Sequence, residues 1–226
     1  LSTLAERYES VSAEVAEAIS ACGRARSEVE LIVISKNHGA ALVRELHTLG
    51  HRHFGENRDQ EAKPKTEETS DLPGLVWHFV GQLQSNKTKS ALSYTNVLHS
   101  IDRASLVSSL RRELQGRSER LGGFIQLNLT DDPGRGGIEP KHLSEFASTV
   151  LELDSFDLLG VMGVAALDRD PRIDFETIAS ASAELQRLEP KARYISAGMS
   201  HDFKQAIEFG ATHLRIGTAI TGKRNL

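Results

Sequence analysis

The sequence predicts an α/β fold, a (β/α)₈ TIM barrel of parallel strands. Three observations carry that expectation. About eight short β-type runs alternate with helical or polar segments along the chain. The first run, "LIVI" at 31–34, is aliphatic at every position, as a strand buried on both faces is. The 226 residues lie within the usual span of one α/β domain. A doubly wound open sheet is the alternative arrangement.

Taken in order, Leu4, Tyr8, Val11, Val15, Ala18, Ile19 and Cys22 form one helical stripe. Ser2 or Thr3 caps its start and Gly23 ends it. Strands are then expected at 29–35, 52–54, 75–80, 95–99, 122–129, 157–162, 193–196 and 212–216. The clearest helices fall at 102–119, 140–153, 172–188 and 200–210. In the third of these, Ile173, Phe175, Ile178, Leu185 and Leu188 keep mostly to one face. Only ten residues follow the last strand, too few for a full closing helix, so the N-terminal helix is expected to fill that place in the outer ring. No linker, repeat or low-complexity stretch divides the chain, and 1–226 reads as a single domain.

Composition excludes several classes. Apolar residues make up 39% and charged residues 26%, an ordinary globular balance. A net charge of −4 gives no electrostatic footprint for nucleic acid or an anionic membrane. No apolar run approaches the roughly 20 residues needed to cross a bilayer. The single cysteine, Cys22, rules out an intrachain disulfide, and the acidic N-terminal helix is unlike a signal peptide. A cytoplasmic protein is expected.

In such a barrel chemistry sits at the C-terminal ends of the strands. Those ends carry Lys36, "FGEN" at 54–57, "WHFVGQLQSNK" at 77–87, "NLTDDPGRGG" at 128–137, "SAGMS" at 196–200 and "RIGT" at 215–218. Strand eight closes beside strand one, so Lys36, Asn57, Ser200, Arg215, Gly217 and Thr218 are expected to converge. Gly198 and Gly217 would let backbone approach an anion, with Ser200 and Thr218 adding hydroxyls. The plainer reading makes Ser200 an N-cap before "HDFKQAIEF". Arg215 shares a strand face with His213 and needs an acceptor, either a structural carboxylate or a ligand.

Lys36 follows an apolar run, where a dry ammonium is costly. Burial and a neighbouring cation such as Arg215 would depress its proton affinity and suit it to Schiff-base formation with a carbonyl. A snorkelling or ion-paired lysine is the plainer alternative. A carbonyl-bearing phosphate ester, of which pyridoxal 5′-phosphate is one, would satisfy both the lysine and the phosphate loops. Elsewhere the signals are bland. His51 and His53 lack a third ligand at metal spacing, so no metal is expected. His78 alternates with Val76 and Val80 and reads as a satisfied core histidine. Lys63, Lys65, Lys87 and Lys89 read as solvated surface charge.

At this point the residues resemble the pyridoxal 5′-phosphate homeostasis proteins, relatives of the N-terminal barrel of bacterial alanine racemase. The likeness runs over nearly the whole chain through "SK" at 35–36, "FGEN" at 54–57, "WHFVGQLQSNK" at 77–87, "HSIDR" at 99–103, "GMS" at 198–200 and "RIGTAITGKR" at 215–224. It implies a fold-type III barrel that binds pyridoxal 5′-phosphate as a Schiff base on Lys36. Ser200, Gly217 and Thr218 would hold the phosphate, Arg215 would face the pyridine nitrogen, and Asn57 would line the pocket. Three stretches depart from the family pattern. "NHGA" at 37–40 follows Lys36 without a nearby threonine and proline, "DDPGRGG" at 131–137 lacks a lysine often found in that loop, and "VMGVAAL" stands at 161–167.

Two readings follow from the resemblance. The first is a monomeric carrier, without turnover, that buffers the cofactor or delivers it to pyridoxal phosphate-dependent apoenzymes. Racemase-like enzymes take a tyrosine base from a second domain, whereas only Tyr8, Tyr94 and Tyr194 occur here, none in an expected active-site loop. The second is an amino-acid racemase-like enzyme using Lys36 alone or His78. A sugar-phosphate aldolase barrel, with Lys36 attacking the substrate, ranks third.

Overall fold

The computed structural model describes residues 2–130 and 132–222; Asp131 of the 131–137 loop, with Lys223 and Arg224 of the 215–224 stretch, lies outside them. Eight parallel strands form a closed barrel in sequence order. They are β1 (Glu30–Ile34), β2 (His53–Glu56), β3 (Val76–Phe79), β4 (Val97–Ile101), β5 (Leu121–Gln126), β6 (Phe156–Met162), β7 (Tyr194–Ser196) and β8 (His213–Ile216). Closure is fixed by the register of β8 on β1, which pairs Glu30 with His213, Ile32 with Arg215 and Val33 with Ile216. The open-sheet alternative is thereby excluded.

Alternation divides the strands between two environments. One set, including Leu31, Val33, Phe54, Trp77, Phe79, Leu214 and Ile216, joins the apolar cluster that packs against the helices. The other set faces the lumen and includes Ile32, Ile34, His78, His99, Phe124, Ser196 and Arg215, all buried.

Helix α1 (Leu4–Ala21) starts in a capping box, in which Thr3 and Glu6 each bind the other's backbone N–H, and Gly23 at φ 67° lies just beyond it. Leu4, Val11, Val15 and Ile19 are buried, while Cys22 at the end of the expected stripe is exposed. Arg7 on this helix donates from Nε to the carbonyl of Ile220 at 2.7 Å. Ile220 belongs to α9 (Thr218–Thr221), so the N-terminal helix does occupy the place beside strand eight.

The other helices are α2 (Ala40–Thr48), α3 (Asp59–Glu68), α4 (Thr88–Leu92), α5 (Ala104–Leu114), α6 (Leu143–Leu151), α7 (Pro171–Leu188) and α8 (Phe203–Glu208). In α7 the expected face is rotated. Its buried stripe runs Asp174, Phe175, Ile178, Ala181, Ser182 and Leu185, leaving Ile173 55% and Leu188 44% exposed. Ile173 falls off the i, i+3, i+4 row that the others share, whereas Leu188 is on that row but is the last residue of the helix. Strand two also shifts, to 53–56, which draws Phe54 to Glu56 into the barrel wall rather than the loop after it. Among the described residues no helix is long and apolar enough to cross a membrane.

Candidate functional site

Pairing places the expected residues at one end of the barrel. Arg215 lies beside Ile32 on β1, and a Cβ built on Gly217 would meet Ile34 at 3.5 Å. Ile34 in turn pairs with Gly55, two residues before Asn57. Lys36 continues the lumen-facing row of Ile32 and Ile34 past the end of β1. Ser200 reaches the same end, where its Oγ accepts from the backbone N–H of Ala219 at 3.4 Å. It is not the cap of α8: that position is held by Asp202, whose Oδ1 accepts from the N–H of Met199 at 2.6 Å.

The two glycines differ in role. At Gly198, with φ 91°, a Cβ would stand 2.7 Å from the Cβ of Ala206, so close packing of α8 demands glycine there. At Gly217 the nearest atom, on Ile34, lies at ordinary contact distance. Close packing within the protein therefore does not by itself demand glycine at 217.

Lys36 differs from expectation. Its side chain is exposed, and among the described residues no hydrogen bond or ion pair holds its ammonium. The dry position belongs to Ser35 instead, because β1 ends at Ile34 and the chain turns at Asn37 with φ 64°. What is fixed is the backbone on either side. Ser35 Oγ donates to Glu56 Oε1 at 2.6 Å, and Lys65 Nζ donates to the Ser35 carbonyl at 2.8 Å. Lys65 also pairs directly with Glu56. On the other side the N–H of Asn37 donates to Glu61 Oε2 at 2.9 Å. Lys36 is thus an exposed amine on a pinned turn.

Lys65 corrects a second expectation. It is 5% exposed and Glu56 1%, so this lysine is a buried partner rather than solvated charge. Burial pushes the Glu56 carboxyl upward, and Lys65 and Ser35 oppose that shift.

Arg215 is 5% exposed. It donates from one terminal nitrogen to Ser196 Oγ at 2.6 Å and from the other to the Gly163 carbonyl at 2.8 Å. Among the described residues no carboxylate pairs with it. Burial lowers its pKa to about 10, opposed by the charge of Asp202. A guanidinium cannot shed its proton at neutral pH, and holding it dry costs several kcal/mol unless an acceptor compensates. Of the two acceptors weighed for Arg215, a structural carboxylate is not the one it has. The lumen end thus offers a buried donor, a glycine turn with two hydroxyls and an exposed amine. That set suits an anionic ligand with a carbonyl and a further lone-pair acceptor.

The quoted stretches that follow β3 and β4 are joined by contact. Gln82 donates to Asp102 Oδ2 at 3.1 Å, and Arg103 binds both Asp102 and the Leu83 carbonyl. Sequence reasoning missed Ser196, Gly163, Glu56 and Lys65 as supports of the site. The signal for Lys65 was present: Asp59, Ala62 and Lys65 are spaced by three and share the buried face of α3.

The N-terminal domain model of alanine racemase matches residues 14–225. A pyridoxal phosphate homeostasis protein of Pseudomonas aeruginosa is 36% identical over 225 residues, covering all of this chain and 97% of that one. Its namesake in Escherichia coli is 34% identical over 230 residues, covering all of this chain and 98% of that one. Among solved structures, PipY of Synechococcus elongatus with pyridoxal phosphate bound superposes with a TM-score of 0.81 at 36% identity, over 92% of this chain and 100% of that one. The relatives are named for homeostasis of the compound rather than for a reaction. On this likeness, over the length of the barrel just described, the chain belongs to the alanine racemase N-terminal domain family and, within it, to the pyridoxal phosphate homeostasis proteins.

Proposed function

We propose that this chain is one binding domain for pyridoxal 5′-phosphate, which it holds on Lys36 and buffers or delivers to apoenzymes in the cytoplasm as a monomer. The observation that carries the reading is Arg215, a buried cation with a hydroxyl and a carbonyl for partners and, among the described residues, no paired carboxylate. The cofactor supplies an aldehyde, a ring nitrogen able to accept a hydrogen bond, and a phosphate. Lys36, on its pinned turn, would supply the amine nitrogen for the aldehyde carbon, with water as the leaving group. Gly217, Thr218 and Ser200 would offer the phosphate a glycine turn and two hydroxyls. Arg215 would donate toward the ring nitrogen, and Asn57 would border the same end.

Holding without turnover is supported by where the candidate bases lie. Tyr8 sits on α1 against His51 at 3.3 Å, Tyr94 donates to Asp59 at 3.2 Å, and Tyr194 opens β7 at the opposite end of its strand. Both ring nitrogens of His78 are engaged by other histidines. The racemase-like reading would need one of these groups to reach the strand ends.

The test is the absorption spectrum with and without added pyridoxal phosphate, followed by borohydride reduction and peptide mapping. A yellow band whose reduced adduct maps to Lys36 is expected. Absence of band and adduct would overturn the reading. Racemisation of an L-amino acid at about 1 per second or faster would replace the carrier with an enzyme. Sedimentation of the loaded protein checks the monomer.

A further inference from the structure

The lumen of this barrel contains a continuous line of polar contacts that the binding site does not by itself require. It starts at Glu30, the first residue of β1, whose Oε2 lies 3.4 Å from His53 Nε2. His53 Nδ1 meets His78 Nε2 at 3.0 Å, and His78 Nδ1 meets His99 Nε2 at 2.9 Å. His99 Nδ1 then crosses the lumen to Ser196 Oγ on β7 at 2.8 Å, and Ser196 receives Arg215 at 2.6 Å. The line therefore joins the N-terminal rim to the buried cation near the opposite end.

Its direction is set from both ends. Arg215 can only donate, and an ionised Glu30 can only accept. Ser196 accepts from Arg215, so its single hydrogen is satisfied by donating to His99 Nδ1. His99 then carries its proton on Nε2 and donates to His78, which does the same toward His53. His53 donates from Nε2 to Glu30. Each imidazole is neutral, and burial favours that form in all three. Any one of them in the other tautomer would set two N–H groups, or two lone pairs, face to face.

We propose that Ser196, His99, His78 and His53 are positioning residues, a one-way hydrogen-bond relay that fixes Arg215 for its ligand and ties it to Glu30 at the far rim. Its action on the ligand rests on the reading of Arg215 given above; the relay itself does not. His213 on β8 lies beside it, with its ring 6.5 Å from His78 and 6.3 Å from His99. Tyr194 on β7 packs on His213, His51 lies just before β2, and Asp202 acts on Arg215 from the turn before α8. A second proton on His53, at Nδ1 facing His78, would reverse each histidine bond once His78 and His99 had also changed tautomer. Ser196 would then accept from both sides and lose the acceptor for its own hydrogen.

Two measurements test this. Protein labelled with ¹⁵N at histidine, without cofactor and near neutral pH, reports each tautomer by two-bond ¹H–¹⁵N correlation and needs no variant. His53, His78 and His99 are expected as Nε2–H; one Nδ1–H among them overturns the relay. The second compares wild type and Ser196→Ala after pyridoxal phosphate is added. Adduct at Lys36 should persist, while non-covalent retention weakens about tenfold as Arg215 loses a charge-assisted partner, with a displaced absorption band. Unchanged retention and band in that variant would overturn the positioning role. Absence of any wild-type adduct would overturn the proposed function, and the role at the ligand with it, while the tautomers still decide the relay.

Discussion

Lowering the pH from about 7.5 to about 5.5 should remove a large share of this protein's stability, because several histidines are held neutral. Burial lowers His51 and His213 to about 4 each. His51 is engaged on both sides, by the His53 carbonyl at 2.7 Å and the Tyr8 hydroxyl at 3.3 Å. Unfolded histidine titrates near 6.5. Between these values the unfolded chain binds more protons than the native one, so stability falls as pH falls through the window. At about pH 5.5 the unfolded form gains roughly 1.4 kcal/mol from each such histidine, about 3 kcal/mol for the pair. His53, His78 and His99, also lowered by burial, act with the same sign.

One group opposes them. The Glu56 carboxyl is raised in the native state, so protonating it stabilises the fold as pH falls. A single carboxyl stands against five histidines, and the histidines win. Total stability of a domain is about 5–15 kcal/mol, so a loss of about 3 is readily measured. Trp77, the sole tryptophan and buried, reports unfolding in urea at a series of pH values. A free energy constant to within about 0.5 kcal/mol across the window would refute the argument and require water or a charged partner in the lumen.

Lys65→Met should cost about 3–5 kcal/mol in urea denaturation, since it strands the Glu56 carboxylate with Ser35 alone. The double variant Lys65→Met with Glu56→Gln should recover most of that, and a single-variant loss below about 1 kcal/mol would show a solvated pair. Lys36→Ala should abolish borohydride-trapped adduct, read by mass spectrometry, while weaker reversible binding remains; unchanged labelling would move the anchor to another lysine. Thr3→Ala removes one half of the capping box and should lower stability by about 1 kcal/mol, with a corresponding fall in Tm. An unaltered melt would show that the end of α1 contributes nothing to cooperativity.

The strands were legible because a barrel wall leaves a local signature. Leu31 to Ile34 are buried on both sides of the chain, and no amphipathic helix tolerates four such neighbours at its surface. The N-terminal helix was legible for the same reason, through its cap and apolar row. Helix α3 was not, since it buries Asp59, Ala62 and Lys65 rather than an aliphatic stripe and carries Pro64. The ends of the site were found through barrel closure, a rule of topology, and so Lys36, Asn57, Ser200, Arg215 and Gly217 meet at one end. The state of Lys36 was not found, because its exposure depends on where β1 stops and where Asn37 turns. The relay was least legible of all. His53, His78, His99, Ser196 and Arg215 come from five different strands, and no spacing along a chain encodes a contact across a lumen.

That lumen reverses the usual allocation of material in a barrel of this kind. Layers of branched aliphatic side chains normally fill the interior. Here aliphatic packing is concentrated between the strands and the helices, and imidazoles take much of the central space. Buried polar groups destabilise a fold when one partner is missing and hold a single geometry when all are matched. His78, His99, Ser196 and Arg215 each have two polar contacts, so rotating any one of them breaks a bond at its neighbour. The arrangement gives up some hydrophobic stabilisation inside the barrel and gains a guanidinium whose position is fixed before a ligand arrives. If Arg215 faces the bound compound as proposed, such preorganisation completes its ordering on folding rather than on binding.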